Sequence, residues 1–90
     1  MSQALTAEDI SGRLQQALSP TLLRVEDDSH MHAGHAGARE GRHFSVHITC
    51  SRFEGLSRVA RHRLVYDSLG TLSSQGIHAL AIVAKAPEEA

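Results

Sequence analysis

The sequence predicts an α+β fold in which helices cover one face of a three-stranded sheet. Apolar residues recur at helical spacing in two segments, and they alternate with polar residues in three others. These segments follow the order helix, strand, strand, helix, strand, without an internal repeat. A chain of 90 residues has room for one domain, which we predict to span residues 1–90 with frayed ends at 1–5 and 86–90.

The first helix is predicted from its boundary signals and its apolar stripe. It begins after Thr6, an N-cap residue that forms a variant of the capping box with Asp9, and it ends at Ser19-Pro20. Its apolar stripe comprises Ile10, Leu14, Ala17 and Leu18. We expect this stripe to face the sheet.

The first strand starts at Thr21 and closes in an acidic run that ends with Asp28-Ser29. A flexible, glycine-rich loop follows over residues 29–42, and it holds His30, His32 and His35 within six residues. Imidazole titrates near neutral pH and binds borderline metals. This loop is therefore the segment in which we first expect chemistry.

The second strand, His43 to Cys50, has the clearest alternation. One face is apolar and comprises Phe44, Val46, Ile48 and Cys50, whereas His43, Ser45, His47 and Thr49 take the solvent face. Cys50 is the only cysteine, so no internal disulfide is possible, and it lies on the apolar face. We interpret Cys50 as a small core side chain rather than a redox thiol.

The last two elements are a long helix and a strand. The helix begins after Ser57 and ends near Gly76, and its inner stripe comprises Val59, His62, Val65, Tyr66, Leu69 and Leu72. His62 is accordingly interpreted as a hydrogen-bonded structural residue. The strand spans Ile77 to Lys85, with His78, Leu80, Ile82 and Ala84 on one face.

Composition and motifs exclude several function classes. The net charge of −1 and pI of about 6.6 provide no general basic field for nucleic acid or anionic lipid. No apolar run approaches the roughly 20 residues of a membrane span, and the N-terminus lacks signal-peptide order, so we expect a cytoplasmic protein. No catalytic spacing or phosphate-binding loop is present, and we predict that the chain is not an enzyme.

Several motifs together resemble the BolA family from about Ile10 to Pro87. They are Asp28-Ser29-His30, His32-Ala33-Gly34-His35, Ser51-Arg52-Phe53-Glu54-Gly55, Arg61-His62-Arg63-Leu64-Val65-Tyr66 and His78-Ala79-Leu80, in the family's order and spacing. The resemblance implies an α-β-β-α-α-β sandwich like the class II KH domains, with a three-stranded mixed sheet and a short helical turn near Gly55.

The resemblance also implies a function. BolA-like proteins are partners of monothiol glutaredoxins, with which they share a [2Fe-2S] cluster in iron-sulfur cluster trafficking or iron regulation. The glutaredoxin supplies its cysteine and a bound glutathione to one iron, and histidines of the BolA-like chain ligate the other. Here the implied ligands are His78 and one histidine of the loop, for which His35 and His32 rank equally and above His30.

A DNA-binding regulator is the alternative. Arg52, Arg58, Arg61 and Arg63 form a local basic patch at the start of the long helix, which could meet phosphates or an acidic partner surface, or could be a solvated helix face. RNA binding of the KH type is not favoured, because Glu54-Gly55-Leu56-Ser57 lacks the second glycine of the GXXG loop.

Overall fold

The computed structural model describes residues 6–28, 42–74 and 77–89. Its helices and strands are α1 (Ala7–Leu18), β1 (Leu22–Asp27), β2 (Arg42–Thr49), α2 (Arg58–Leu69) and β3 (Ile77–Lys85). Short 3₁₀ turns occupy Ser51–Phe53, Gly70–Ser74 and Pro87–Glu89. The predicted α+β class and the order of elements are confirmed, and the turn expected near Gly55 is the one at Ser51–Phe53. Residues 1–5 and the loop histidines lie outside the described ranges.

The sheet is mixed, with strand order β1-β2-β3. The hairpin partners β1 and β2 are antiparallel, whereas β2 and β3 are parallel. A parallel pair needs a crossover connection, and α2 provides it. Both helices pack against the sheet and against each other, so the core lies between one sheet face and the helices.

The core confirms most of the predicted faces. Its fully or nearly buried apolar members are Ile10, Leu14, Leu18, Phe44, Val46, Ile48, Cys50, Phe53, Val65, Leu69, Ile82 and Ala86. Two expectations fail at the ends of elements. Ala17 is exposed, and Thr49 is buried at the end of β2, where its carbonyl accepts a hydrogen bond from the Thr21 backbone N–H.

The boundaries of α1 follow the predicted signals. The Asp9 N–H donates to the Thr6 hydroxyl at 3.1 Å, and the Asp9 carboxylate accepts from the Thr6 N–H at 3.0 Å. This reciprocal pair is a capping box. The helix ends at Leu18 because Ser19 adopts a left-handed conformation, with φ 48° and ψ 56°.

The long helix ends earlier than predicted. Gly70 has a φ of +58° and caps α2 directly after Leu69, so the helix does not reach Gly76. The predicted inner stripe is confirmed at Val65 and Leu69 and is wrong at Val59 and Tyr66, which are 69% and 40% exposed. The inner face also includes the mostly covered Arg61. A search for apolar periodicity alone leaves this arginine out of the stripe.

The C-terminal segment is not frayed over residues 86–89. Ala86 is fully buried, and the turn Pro87–Glu89 follows it. The Ala86 N–H donates to the Glu89 carboxylate at 2.8 Å, and the Glu89 N–H donates to the Ala86 carbonyl at 2.9 Å. These contacts fold the segment onto the domain, contrary to the predicted loose tail.

Candidate functional site

The end of β1 and the starts of β2 and β3 lie at the same end of the sheet, next to the histidine loop and His78. β1 ends there at Asp27, which pairs with Phe44 near the start of β2. Because β2 and β3 are parallel, both also start there, with Arg42 paired to Ile77. His78 is the second residue of β3. The backbone thus places His78 beside the points where the histidine loop leaves β1 and enters β2.

The backbone at His78 is irregular. Arg42 is paired with Ile77, and the next residue of β2, His43, is paired with Ala79. His78 is therefore an extra residue in β3 that faces no partner of its own on β2, as in a β-bulge. Bulges re-aim side chains and are over-represented beside active sites. The side chain of His78 lies outside what the structure describes.

Asp28, the residue that precedes the loop, forms two hydrogen bonds with β2. The Asp28 N–H donates to the His43 carbonyl at 2.7 Å, and the Asp28 carboxylate accepts a hydrogen bond from the Ser45 hydroxyl. Backbone and side chain of Asp28 are thus both tied to β2. The loop departs from a fixed point, although His30, His32 and His35 themselves lie outside the described residues.

The remaining histidines occupy other positions. His43 and His47 are half-buried on the sheet face opposite the core, as predicted for the solvent side of β2. His62 is half-buried on α2, but its imidazole forms no hydrogen bond within residues 6–28, 42–74 and 77–89, so its predicted bonding role is wrong for that part of the chain. The same residues contain no group of three or more metal-ligating side chains.

The predicted arginine patch divides into two kinds of residue. Arg52, Arg58 and Arg63 are exposed. The side chain of Arg61 is only 13% exposed, and its Nε donates to the Leu56 carbonyl at 3.0 Å. Its Nη1 donates to the Ala84 carbonyl at 3.1 Å. Arg61 therefore differs from the other three arginines of the predicted patch, because its donors already form hydrogen bonds within the protein.

Glu89 completes the environment of Arg61. Its two carboxylate oxygens accept from Nη1 and Nη2 at 2.6 and 3.1 Å. The hydrogen bond from Arg61, followed by that from the Ala86 N–H, lowers the pKa of Glu89 to about 2. The same pair raises the pKa of Arg61. Sequence reasoning missed Glu89, because no periodicity links residues 28 positions apart.

Cys50 is part of the core, as predicted. It is 1% exposed, and its thiol donates to the Leu18 carbonyl at 3.2 Å. Its sulfur also accepts from the Arg52 N–H at 3.4 Å, where the 3₁₀ turn begins. The thiol therefore joins the end of α1 to the segment after β2.

Comparison with known proteins gives a consistent result. A family model described as "BolA-like protein" matches residues 14–89. "Protein BOLA1, chloroplastic" from Arabidopsis thaliana is 47% identical over 81 residues, which cover 86% of this chain and 51% of that protein. "BolA-like protein 1" from Mus musculus is 45% identical, with coverage of 89% and 57%. The chain thus spans about half the length of these two relatives.

A third relative and two solved structures also match this chain. "SufE-like protein 1, chloroplastic/mitochondrial" from Arabidopsis thaliana is 46% identical over 86 residues, covering 89% of this chain but 23% of that protein. The structure of the BolA domain of SufE1 from Arabidopsis thaliana has a TM-score of 0.82 at 44% identity and covers 99% of this chain and all of that one. BolA1 from Arabidopsis thaliana has a TM-score of 0.81 at 42% identity, with 99% of both chains covered.

One further property concerns membranes. Among the described residues, no helix is both long and apolar enough to span a bilayer.

Proposed function

Because the chain belongs to the BolA-like family, we propose that it is a non-enzymatic adaptor that binds a monothiol glutaredoxin and co-ligates a shared [2Fe-2S] cluster. The cluster is cargo in iron-sulfur trafficking or a signal in iron regulation. The glutaredoxin cysteine and a bound glutathione would hold one iron. His78 and one of the loop histidines would hold the other. We further propose a cytoplasmic location, although two relatives carry chloroplastic names.

The observation that carries this proposal is the bulge at His78. It lies at the sheet end from which the histidine loop departs at Asp28 and to which the loop returns at Arg42. This position in the sheet supports His78 and one loop histidine as ligands of the same iron. Residue 78 is also the one position at the start of β3 that is displaced from the regular ladder.

The donor types fit one iron of such a cluster. Two imidazoles on one iron are found in Rieske centres, where they replace two of the four cysteines. Cys50 does not compete as a ligand, because it is buried and bonded to the Leu18 carbonyl. The chain would thus contribute nitrogen ligands, and the thiolates would come from the glutaredoxin and glutathione.

Reconstitution tests the ligand assignment. The chain is co-purified with a monothiol glutaredoxin, glutathione and iron, and the visible circular dichroism of the complex is recorded. We expect His78→Ala to abolish or shift the cluster bands. Of His30→Ala, His32→Ala and His35→Ala, we expect one to do the same, and that variant identifies the second ligand.

The matched control is His47→Ala, on the solvent face of β2 away from the start of β3. It should leave the bands unchanged. Far-ultraviolet spectra establish that each variant is folded. Cluster bands that survive both His78→Ala and all three loop substitutions would remove the proposal.

A DNA-binding regulator remains a second candidate, supported by the exposure of Arg52, Arg58 and Arg63 around the start of α2. If they contact phosphates, the affinity for duplex DNA falls steeply with salt, and Arg63→Ala reduces the slope of log K against log salt by about 1. Arg24→Ala, an exposed arginine on β1, is the control. Anisotropy titrations that show no salt-dependent binding eliminate this candidate.

A further inference from the structure

A groove of about 400 Å³ lies between α2 and the C-terminal end of β3. Its lining includes four basic residues, Arg58, Arg61, His62 and Lys85, and three apolar ones, Leu56, Ile82 and Val83. Glu89 is the acidic residue among its lining side chains. A basic groove of this kind in a chain of net charge −1 is a local feature rather than a consequence of composition.

The two residues of the Arg61–Glu89 pair differ in exposure and in their other contacts. The Arg61 guanidinium donates hydrogen bonds to the carbonyls of Leu56 and Ala84, and its side chain is only 13% exposed. The Glu89 side chain is 45% exposed and approaches from the solvent side. The guanidinium is thus oriented by contacts that do not depend on Glu89, and its outer edge presents the planar fork that binds carboxylates.

We propose that this groove is a recognition site for an acidic peptide segment of a protein partner and that Glu89 is its displaceable internal occupant. The partner's carboxylate takes the place of the Glu89 carboxylate on Arg61. Arg58 and Lys85 add positive charge around it. The exposed part of Val83, which is 43% exposed, offers contact to an apolar neighbour in the same segment.

This site is separate from the proposed cluster site and does not depend on it. Lys85 lies seven residues beyond His78 in β3, which corresponds to about 23 Å along a strand. A partner bound in the groove would therefore leave the histidine end of the sheet accessible. Loss of cluster binding in His78→Ala should not alter peptide binding in the groove, and the two proposals can fail independently.

An internal occupant weakens an external ligand by a predictable factor. The apparent affinity is the intrinsic affinity multiplied by the fraction of molecules in which the site is open. If Glu89 occupies Arg61 in at least about nine molecules of ten, its removal strengthens peptide binding at least about tenfold. A substitution that leaves the Arg61–Glu89 pair intact should not increase the affinity for the peptide.

The probe is an acetylated and amidated peptide with the sequence of residues 86–90, Ala-Pro-Glu-Glu-Ala, titrated into ¹⁵N-labelled full-length protein. Glu89→Ala removes the internal carboxylate, and Glu89→Gln removes its charge while it keeps an acceptor oxygen. Glu88→Ala is the matched control, one residue away and exposed. The Arg61 side-chain N–H resonance reports occupancy of the guanidinium.

We expect both Glu89 variants to bind the peptide at least about tenfold more tightly than the wild type and Glu88→Ala, with shifts at Arg61, Val83 and Lys85. A peptide with glutamine at both glutamate positions should not bind. The proposal is overturned if the folded Glu89 variants do not distinguish the two peptides, or if acetate alone binds as well as the peptide. It is equally overturned if both Glu89 variants are unfolded, since Glu89 would then be an obligatory part of the fold.

Discussion

Arg61 on α2 and Glu89 in the C-terminal turn are 28 residues apart in sequence and are joined by two hydrogen bonds, of 2.6 and 3.1 Å. The same guanidinium binds the carbonyls of Leu56 and Ala84. One side chain therefore connects the segment before α2, the end of β3 and the C-terminal turn. Arg61, which was predicted to be a surface cation, is therefore a mostly covered residue that joins three segments of the fold.

The pair makes stability depend on pH in the acid range. Glu89 has a pKa of about 2 in the folded protein, below its ordinary value of 4.5, mainly because Arg61 hydrogen-bonds the ionised form. The stabilisation from this carboxylate is complete above about pH 4.5 and is lost as pH falls towards 2. We expect the difference in melting temperature between the wild type and Glu89→Gln to shrink over this interval.

Thermal unfolding between pH 7 and pH 2.5 provides the measurement, with Glu88→Gln as the control for a general change in net charge. Glu88 is exposed and acts on Arg61 only through its charge, without a hydrogen bond to the guanidinium, so it should show a smaller difference. A difference for Glu89→Gln that is constant across the range would show that the carboxylate is not paired in solution.

Arg61 and Arg63 should behave differently although both are arginines of the same motif. Arg61→Ala leaves the carbonyls of Leu56 and Ala84 without their donor, so we expect a clear fall in melting temperature. Arg61→Lys should recover only part of it, because an ammonium cannot reproduce the fork. Arg63→Ala removes an exposed side chain and should be nearly neutral. Equal melting temperatures for Arg61→Ala and Arg63→Ala would contradict the structure.

The thiol of Cys50 should be unreactive in the native protein. It is 1% exposed and donates to the Leu18 carbonyl. Iodoacetamide should therefore modify it only when the protein opens, and the labelling rate should rise sharply in guanidinium chloride. Mass spectrometry after timed labelling gives the rate. Stoichiometric labelling of the folded protein within minutes would show that Cys50 is accessible and not a core residue.

Strand faces and helix starts could be predicted because they depend on local patterns. The alternation in β2 correctly predicted that Phe44, Val46 and Ile48 lie in the core. The capping pair of Thr6 and Asp9 correctly predicted the start of α1. Both signals lie within a few residues of the elements that they specify. In β2, burial then fixes the register of the strand, because a shift of one residue would turn every apolar side chain of the strand to solvent.

Tertiary partners could not be predicted in the same way. The apolar pattern of α2 correctly placed Val65 and Leu69 in the inner stripe, but it also included Val59 and Tyr66, which are exposed, and left out the mostly covered Arg61. Arg61 is covered only because Glu89 and the Ala84 carbonyl, both distant in sequence, meet it. The bulge at His78 likewise results from pairing with β2 and has no local signature.

The same substitution at two glycines should change stability in opposite directions. Gly12 lies inside α1, where a methyl group would meet no atom within 4 Å. Alanine favours the helix and restricts the unfolded chain, so Gly12→Ala should raise the free energy of unfolding by about 0.5–1 kcal/mol. Gly55 also has open space around it, but its φ is +77°.

An alanine at position 55 must therefore adopt a left-handed conformation, which costs about 1–2 kcal/mol, and Gly55→Ala should lower the free energy of unfolding by that amount. Gly55→Asn should cost less, because asparagine tolerates this region. Urea denaturation gives the three values, and the two alanine effects should add in the double variant if the sites are independent. Since neither site has a steric contact, a loss of stability in Gly12→Ala or a gain in Gly55→Ala would show that the backbone conformation at that glycine is not the one described.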